Sequence, residues 1–202
     1  MRKFFGLGMA AALASFYMAA PAMATDISVT PLKLIIVDKI AAAGKAKAVF
    51  VVKDTAVDKG TGTDAADISS QLDVSGTTGP GSFVNASGSN WLVNKDTVAK
   101  YVNKDAPAAP GSTKVSVIKP AKLIKNVGKS LGDSPVDITA APAGEVHVVY
   151  TIVNGGQTFR HCGKFTSCAW KLIAGDTGEK LVCKGTGAPD TCPTSPSGAF
   201  VE

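Results

Sequence analysis

Alternation of apolar and polar positions dominates the chain from residue 26 onward. In the segment 145–153, Glu-Val-His-Val-Val-Tyr-Thr-Ile-Val, the side chains of Val146, Val148, Tyr150 and Ile152 fall on one face of a strand. Runs rich in β-branched residues at 32–37, 47–53, 68–74, 91–93, 113–119 and 157–162 have the same character, and clusters of Gly, Pro, Asp, Asn and Ser separate them. Many short strands at this spacing predict a mostly β protein, a β-sandwich of immunoglobulin-like or similar type.

Residues 120–131 depart from the pattern. Leu123, Ile124, Val127 and Leu131 share a helical face with lysines opposite, Pro120 suits a first helical turn and Gly132 a stop, so a single short helix near 120–131 is expected. A strand broken at Gly128 is the competing reading. Such a basic amphipathic helix has the composition of a membrane-surface segment, but a solvated helix lying on the sheet is the plainer expectation. The best linker candidate is 106–112, Ala-Pro-Ala-Ala-Pro-Gly-Ser, which divides the chain after residue 24 into halves of similar length. Half of that chain makes a thin core, so this segment reads as a loop between two sheets of one domain spanning 25–194. Residues 195–202 follow the last cysteine with little to pack, and a disordered tail is expected there.

The N-terminus changes the picture of where the chain works. Arg2 and Lys3 precede an apolar run from Phe4 to Ala20, and Ala22-Met23-Ala24 carries small residues at the two positions a signal peptidase reads. Residues 1–24 are therefore expected to be a cleaved signal peptide, with the remainder exported to the periplasm or beyond the cell and holding no transmembrane segment. Removing 24 residues from 202 leaves 178, with 19 basic against 16 acidic residues, about +3. Arg160 is the only arginine of that part, and nucleic-acid recognition leans on arginine, so a nucleic-acid partner is not expected.

Four cysteines, Cys162, Cys168, Cys183 and Cys192, all lie in the last quarter of the chain. An even number in an exported protein reads as two disulfides, for which three pairings exist. The segments 168–174 and 180–184 flank a turn-rich stretch and form a plausible hairpin in which Cys168 faces Cys183; Cys162 and Cys192 fall on nearly the same extended register. The nested pairing is therefore favoured. The gaps between the cysteines suit neither a zinc site nor haem attachment, so no cofactor is expected.

Lys33-Leu-Ile-Ile-Val-Asp-Lys39, Val49-Phe-Val-Val-Lys-Asp54, Lys114-Val-Ser-Val-Ile-Lys-Pro-Ala-Lys-Leu-Ile-Lys125 and Phe159-Arg-His-Cys162 resemble stretches of a family of uncharacterised secreted bacterial proteins. The resemblance covers most of the chain after residue 24, and its motifs are strand-like rather than site-like. It implies no activity, cofactor or catalytic residue. It does imply that Cys162 and Cys192 have counterparts in relatives that often lack the inner two, which supports the nested pairing.

Candidate chemistry is sparse, and no catalytic residue is assigned. Nucleophilic hydrolysis needs a base, and the two histidines are His147, inside a strong strand, and His161, beside a cysteine expected to be bonded. The acidic loop 54–67 is oxygen-rich, and Asp58 and Asp64 are its weak calcium candidates. It lacks the Asp-x-Asp-x-Asp-Gly spacing and carries Lys59 among its acids, so a solvated turn is favoured. Trp91, Tyr101, Tyr150 and Trp170 are candidates for a sugar-stacking platform, on which core packing has first claim. Asn85-Ala-Ser87 matches a short glycosylation acceptor. The expectation is a non-enzymatic exported β-sandwich, a structural or binding module whose partner is an unidentified protein or glycan of the cell envelope. The alternatives are a secreted hydrolase with a site assembled from scattered residues, and a calcium-binding surface protein.

Overall fold

Thirteen strands and no helix run through the described residues of the computed structural model, which are 24–39, 46–104, 111–130, 134–174, 178–185 and 187–194. The expected signal segment up to residue 23, most of the linker candidate, residues 175–177 and the expected tail 195–202 lie outside them. Two sheets pack face to face as a β-sandwich. The smaller sheet has the order β1 (Thr25–Ser28), β11 (Gln157–Phe165), β10 (Val146–Asn154), β4 (Ile68–Ser75) and β5 (Gly81–Asn85). The larger runs β12 (Ser167–Leu172), β13 (Glu179–Lys184), β2 (Pro31–Asp38), β3 (Ala46–Val52), β9 (Leu123–Ser130), β8 (Thr113–Lys119), β7 (Val98–Val102) and β6 (Trp91–Lys95). That is more strands than an immunoglobulin domain holds. Only β1 runs parallel to its neighbour, β11. Both sheets draw strands from either side of residues 105–110.

The alternation explains the core. Leu34 and Ile36 of β2, Phe50 of β3 and Ile124 of β9 face Leu72, Phe83, Tyr150 and Ile152 of the smaller sheet, and none of the eight is solvent-exposed. Each such large apolar side chain contributes roughly 1.5–3 kcal/mol on burial. The Phe50 and Tyr150 rings stack across the sandwich with centroids 6.2 Å apart.

Where a helix is expected near 120–131, residues 123–130 form a strand, and residue 131 lies outside the described residues. Lys119–Lys122 form a tight turn closed by the Lys122 N–H donating to Lys119 O at 3.1 Å, with Pro120 second and Ala121 third at φ 53°. Pro120 therefore opens a hairpin turn, the position where its fixed φ is equally suited. β9 then runs unbroken through Gly128, with Ile124, Asn126 and Gly128 turned inward. Two of those three positions are not apolar, which hides the two-residue period. Gly128 is required by packing: a Cβ there would stand 2.3 Å from the Phe83 ring. Asn126 is held by partners in the core, described below.

Candidate functional site

The disulfides join Cys168 to Cys183 and Cys162 to Cys192, with Cα separations of 4.1 and 5.3 Å. Cys168 and Cys183 are facing residues of the β12–β13 ladder, the register favoured from the sequence. The second bond straps residues 187–194 over the outer side of the smaller sheet. There Lys164 N–H donates to Gly187 O at 3.3 Å, Ser28 Oγ to Pro189 O at 2.9 Å, and Arg160 Nη2 to Pro193 O. Charges on this side are paired: Arg160 with Asp26 at 3.2 Å, and Lys164 with Glu145 at 3.3 Å.

Each candidate for acid–base chemistry is engaged by the fold. His161 faces Tyr150 across the ladder and is fully buried. Its Nε2 accepts the Asp58 N–H at 3.0 Å, which leaves the ring proton on Nδ1, 3.3 Å from Tyr150 O. Burial holds this imidazole down at about 4, against the pull of the Tyr150 carbonyl and of Asp58 and Asp54. His147 is half-buried on the outer side, its Nε2 3.7 Å from Glu145 Oε2. Ser75 stands opposite it in register, yet Nδ1 has no hydrogen-bond partner. Thus, among the described residues, neither histidine is hydrogen-bonded to a hydroxyl or thiol that could serve as a nucleophile.

The loop 53–67 folds around its own cation. Lys59 is fully buried, and its Nζ donates to Gly62 O at 3.0 Å and Gly60 O at 3.3 Å. Burial lowers this ammonium below its ordinary range, and Asp96 and Asp58 partly restore it. From beneath, Asn154 Nδ2 donates to Lys59 O and Gly62 O, and Asn94 Nδ2 donates to Asp64 O and Asn154 Oδ1. The calcium candidates serve turns instead: Asp58 Oδ1 accepts the Gly60 N–H and Asp64 Oδ1 the Ala66 N–H, both at 2.8 Å. Among the described residues no three His, Cys, Asp or Glu side chains converge on a point that could hold a metal. A cleft of about 430 Å³ opens beside this loop, between Asp58, Asp96 and Phe159.

The four aromatics form no single surface array: Trp91, Tyr101 and Tyr150 are buried, and Trp170 is half-buried on the inward side of β12. Trp91 and Tyr101 meet edge to face at 5.3 Å and are buried, and Trp170 Nε1 donates to Ile138 O at 2.6 Å. Tyr150 centres a buried polar network that residue types alone did not announce. Its hydroxyl lies 2.6 Å from Ser116 Oγ and 2.7 Å from Ser70 Oγ, so it ties β8 of one sheet to β4 and β10 of the other. Asn85 Nδ2 donates to Ser70 Oγ, Asn126 Oδ1 and the Tyr150 hydroxyl. Burial pushes the Tyr150 phenol up to about 12, so it stays a neutral hydrogen-bonding group. Asn85, the glycosylation candidate, is wholly buried here and inaccessible in the folded chain.

The outer side of the eight-stranded sheet carries a regular pattern of aliphatic and basic positions. Cross-strand register aligns its outward positions into three rows. The middle row is aliphatic from Ala169 on β12, through Val182, Ile35, Val49, Val127 and Val115, to Val102 on β7. One flanking row carries Lys171, Lys180, Lys47 and Lys129, interrupted by Val37. The other carries Lys184, Lys33, Lys125 and Lys100, with Val51 and Val117 between lysines. Seven of these eight lysines are exposed and Lys180 is half-buried. No position in the rows is acidic, and none of the ion pairs among the described residues involves these lysines. Three pairs stand directly opposite one another: Lys171 with Lys180, Lys184 with Lys33, and Lys47 with Lys129. The net charge of the sequence did not reveal this concentration, because the acids lie in the loops, on the other sheet and, as Asp38 and Glu179 at the ends of β2 and β13, on the inward parity of the larger one.

No family model, no curated protein and no solved structure matches this chain.

Proposed function

We propose that the chain is an exported, non-enzymatic binding module of the cell envelope that engages its partner through the lysine-walled face of the larger sheet. The three directly opposed lysine pairs carry this reading. Like charges facing each other destabilise a sheet, on the scale of roughly 0.2–1 kcal/mol per pair, and a face arranged for stability alone would interleave acids. An anionic partner, protein or glycan, supplies the missing counter-charge. Export is supported by the signal-like residues 1–24 and by two disulfides, which persist in oxidising compartments such as the periplasm and the cell exterior. The resemblance to secreted bacterial proteins points to the same places. A non-enzymatic role is supported by the engagement of His161, Tyr150 and the loop carboxylates in the fold itself.

Fractionation of cells tests the reading. The wild-type chain and a Lys33→Glu/Lys125→Glu variant are followed through envelope, periplasm and medium. Retention of the wild type in the envelope, and release of the variant with an unchanged melting temperature, is the expected result. Identical distribution of the two folded proteins would refute it.

A further inference from the structure

Resting on that reading, we propose that the occupant of the face is a linear acidic polysaccharide lying across the strands, along the aliphatic row and between the two lysine rows. The dimensions make a track. Corresponding positions of the two lysine rows, such as Lys129 and Lys125, are four residues apart along a strand, about 13 Å at ~3.3 Å per residue. The aliphatic row crosses seven strands, about 29 Å at ~4.8 Å per strand. One extended chain fits that width, and long lysine side chains reach it from both walls while their stems cover the valine floor. Carboxylates or sulfates projecting to either side of the chain meet ammonium groups, and the C–H faces of its sugar rings meet Ile35, Val49 and Val127.

Other anionic partners fit less well. Neighbouring strands of a twisted sheet rotate by roughly 20–25°, so eight strands turn the face through well over a right angle. A planar membrane would touch only part of it, whereas a flexible chain follows the twist. Single-stranded nucleic acid is gripped by aromatic stacking and arginine, and the rows contain neither.

Titration calorimetry of the protein lacking residues 1–24, with polygalacturonate as probe and dextran as the uncharged control, tests the proposal. Vesicles of phosphatidylcholine with phosphatidylglycerol are titrated in parallel. Binding of polygalacturonate but not dextran, weakened by added salt, is expected. Lys33→Gln/Lys125→Gln on one wall and Lys47→Gln/Lys180→Gln on the other should each lower affinity by about tenfold, two charge contacts of modest strength apiece. Lys122→Gln/Lys164→Gln, off the face, should leave it unchanged; thermal melts confirm that every variant is folded. Loss confined to one wall, or an equal loss in the off-face variant, would overturn the track. Binding to vesicles alone would overturn the polysaccharide while leaving the face as the binding surface. Failure of every anionic probe would overturn both.

Discussion

The two outer sides of this sandwich handle charge in opposite ways. On the smaller sheet Arg160 and Lys164 each have a carboxylate within salt-bridge distance, and the segment tied down by Cys162–Cys192 lies over them. On the larger sheet eight lysines stand in two rows with no acid among them and three pairs face each other. Charges on the first side are settled within the molecule. Those on the second remain free for something outside it. The contrast separates residues that hold the fold together from residues that the fold merely presents.

Removing the strap should have the largest effect. A Cys162→Ser/Cys192→Ser variant is expected to lose about 3–4 kcal/mol, since the bond closes a loop with sequence separation 30. Urea unfolding measures it, and binding at the lysine-walled face should be intact if the two sides are independent. The layer between them supplies the next test. The folded-state value of His161, about 4, lies below the ordinary 6.5, so the neutral ring is favoured in the fold. As pH falls from about 6.5 to 4 the unfolded chain takes up the proton first, and stability should drop by on the order of 2–3 kcal/mol before levelling off. His161→Gln should flatten that slope relative to the wild type in urea midpoints taken across the window.

Tyr150→Phe is expected to destabilise by about 1–2 kcal/mol, because Ser70 and Ser116 each lose a buried partner. Its effect should be the same with and without an anionic ligand. The smallest change is the most diagnostic. Lys180→Glu places a carboxylate opposite Lys171 and should raise stability by roughly 0.2–1 kcal/mol while weakening binding. A gain in melting temperature with no change in binding would mean that the lysine ladder presents nothing.

Much of the fold was legible where local pattern and environment agree. β8 has the bounds read from its alternation, and β10 was readable because Val146, Val148, Tyr150 and Ile152 line the interior. The β12–β13 hairpin followed from symmetry about its turn, and with it the Cys168–Cys183 pair. β9 was misread as a helix because Asn126 and Gly128 occupy inward positions, and only the partners of Asn126 and the ring of Phe83 explain why. The short strands β1, β5 and β7 were not anticipated; β5 begins at the end of the stretch Gly79-Pro80-Gly81, which gives little periodic signal.

The candidate site was not legible at all. Sequence alone determined that Lys33 and Lys47 stand between apolar residues and would therefore face water, because the two-residue period of a strand is local, whereas Lys125 fell in the segment read as a helix. Which lysine stands beside which was decided by pairing between strands distant in the chain, as Lys180 of β13 lies opposite Lys171 on one side and Val37 on the other. A register slip of one residue would turn a whole strand over and scatter the rows. The burial that keeps His161 neutral is equally non-local, since it comes from a loop one hundred residues earlier folding over the ring. Periodicity sets which way a side chain points; only tertiary pairing sets its neighbours, and charge acts through neighbours.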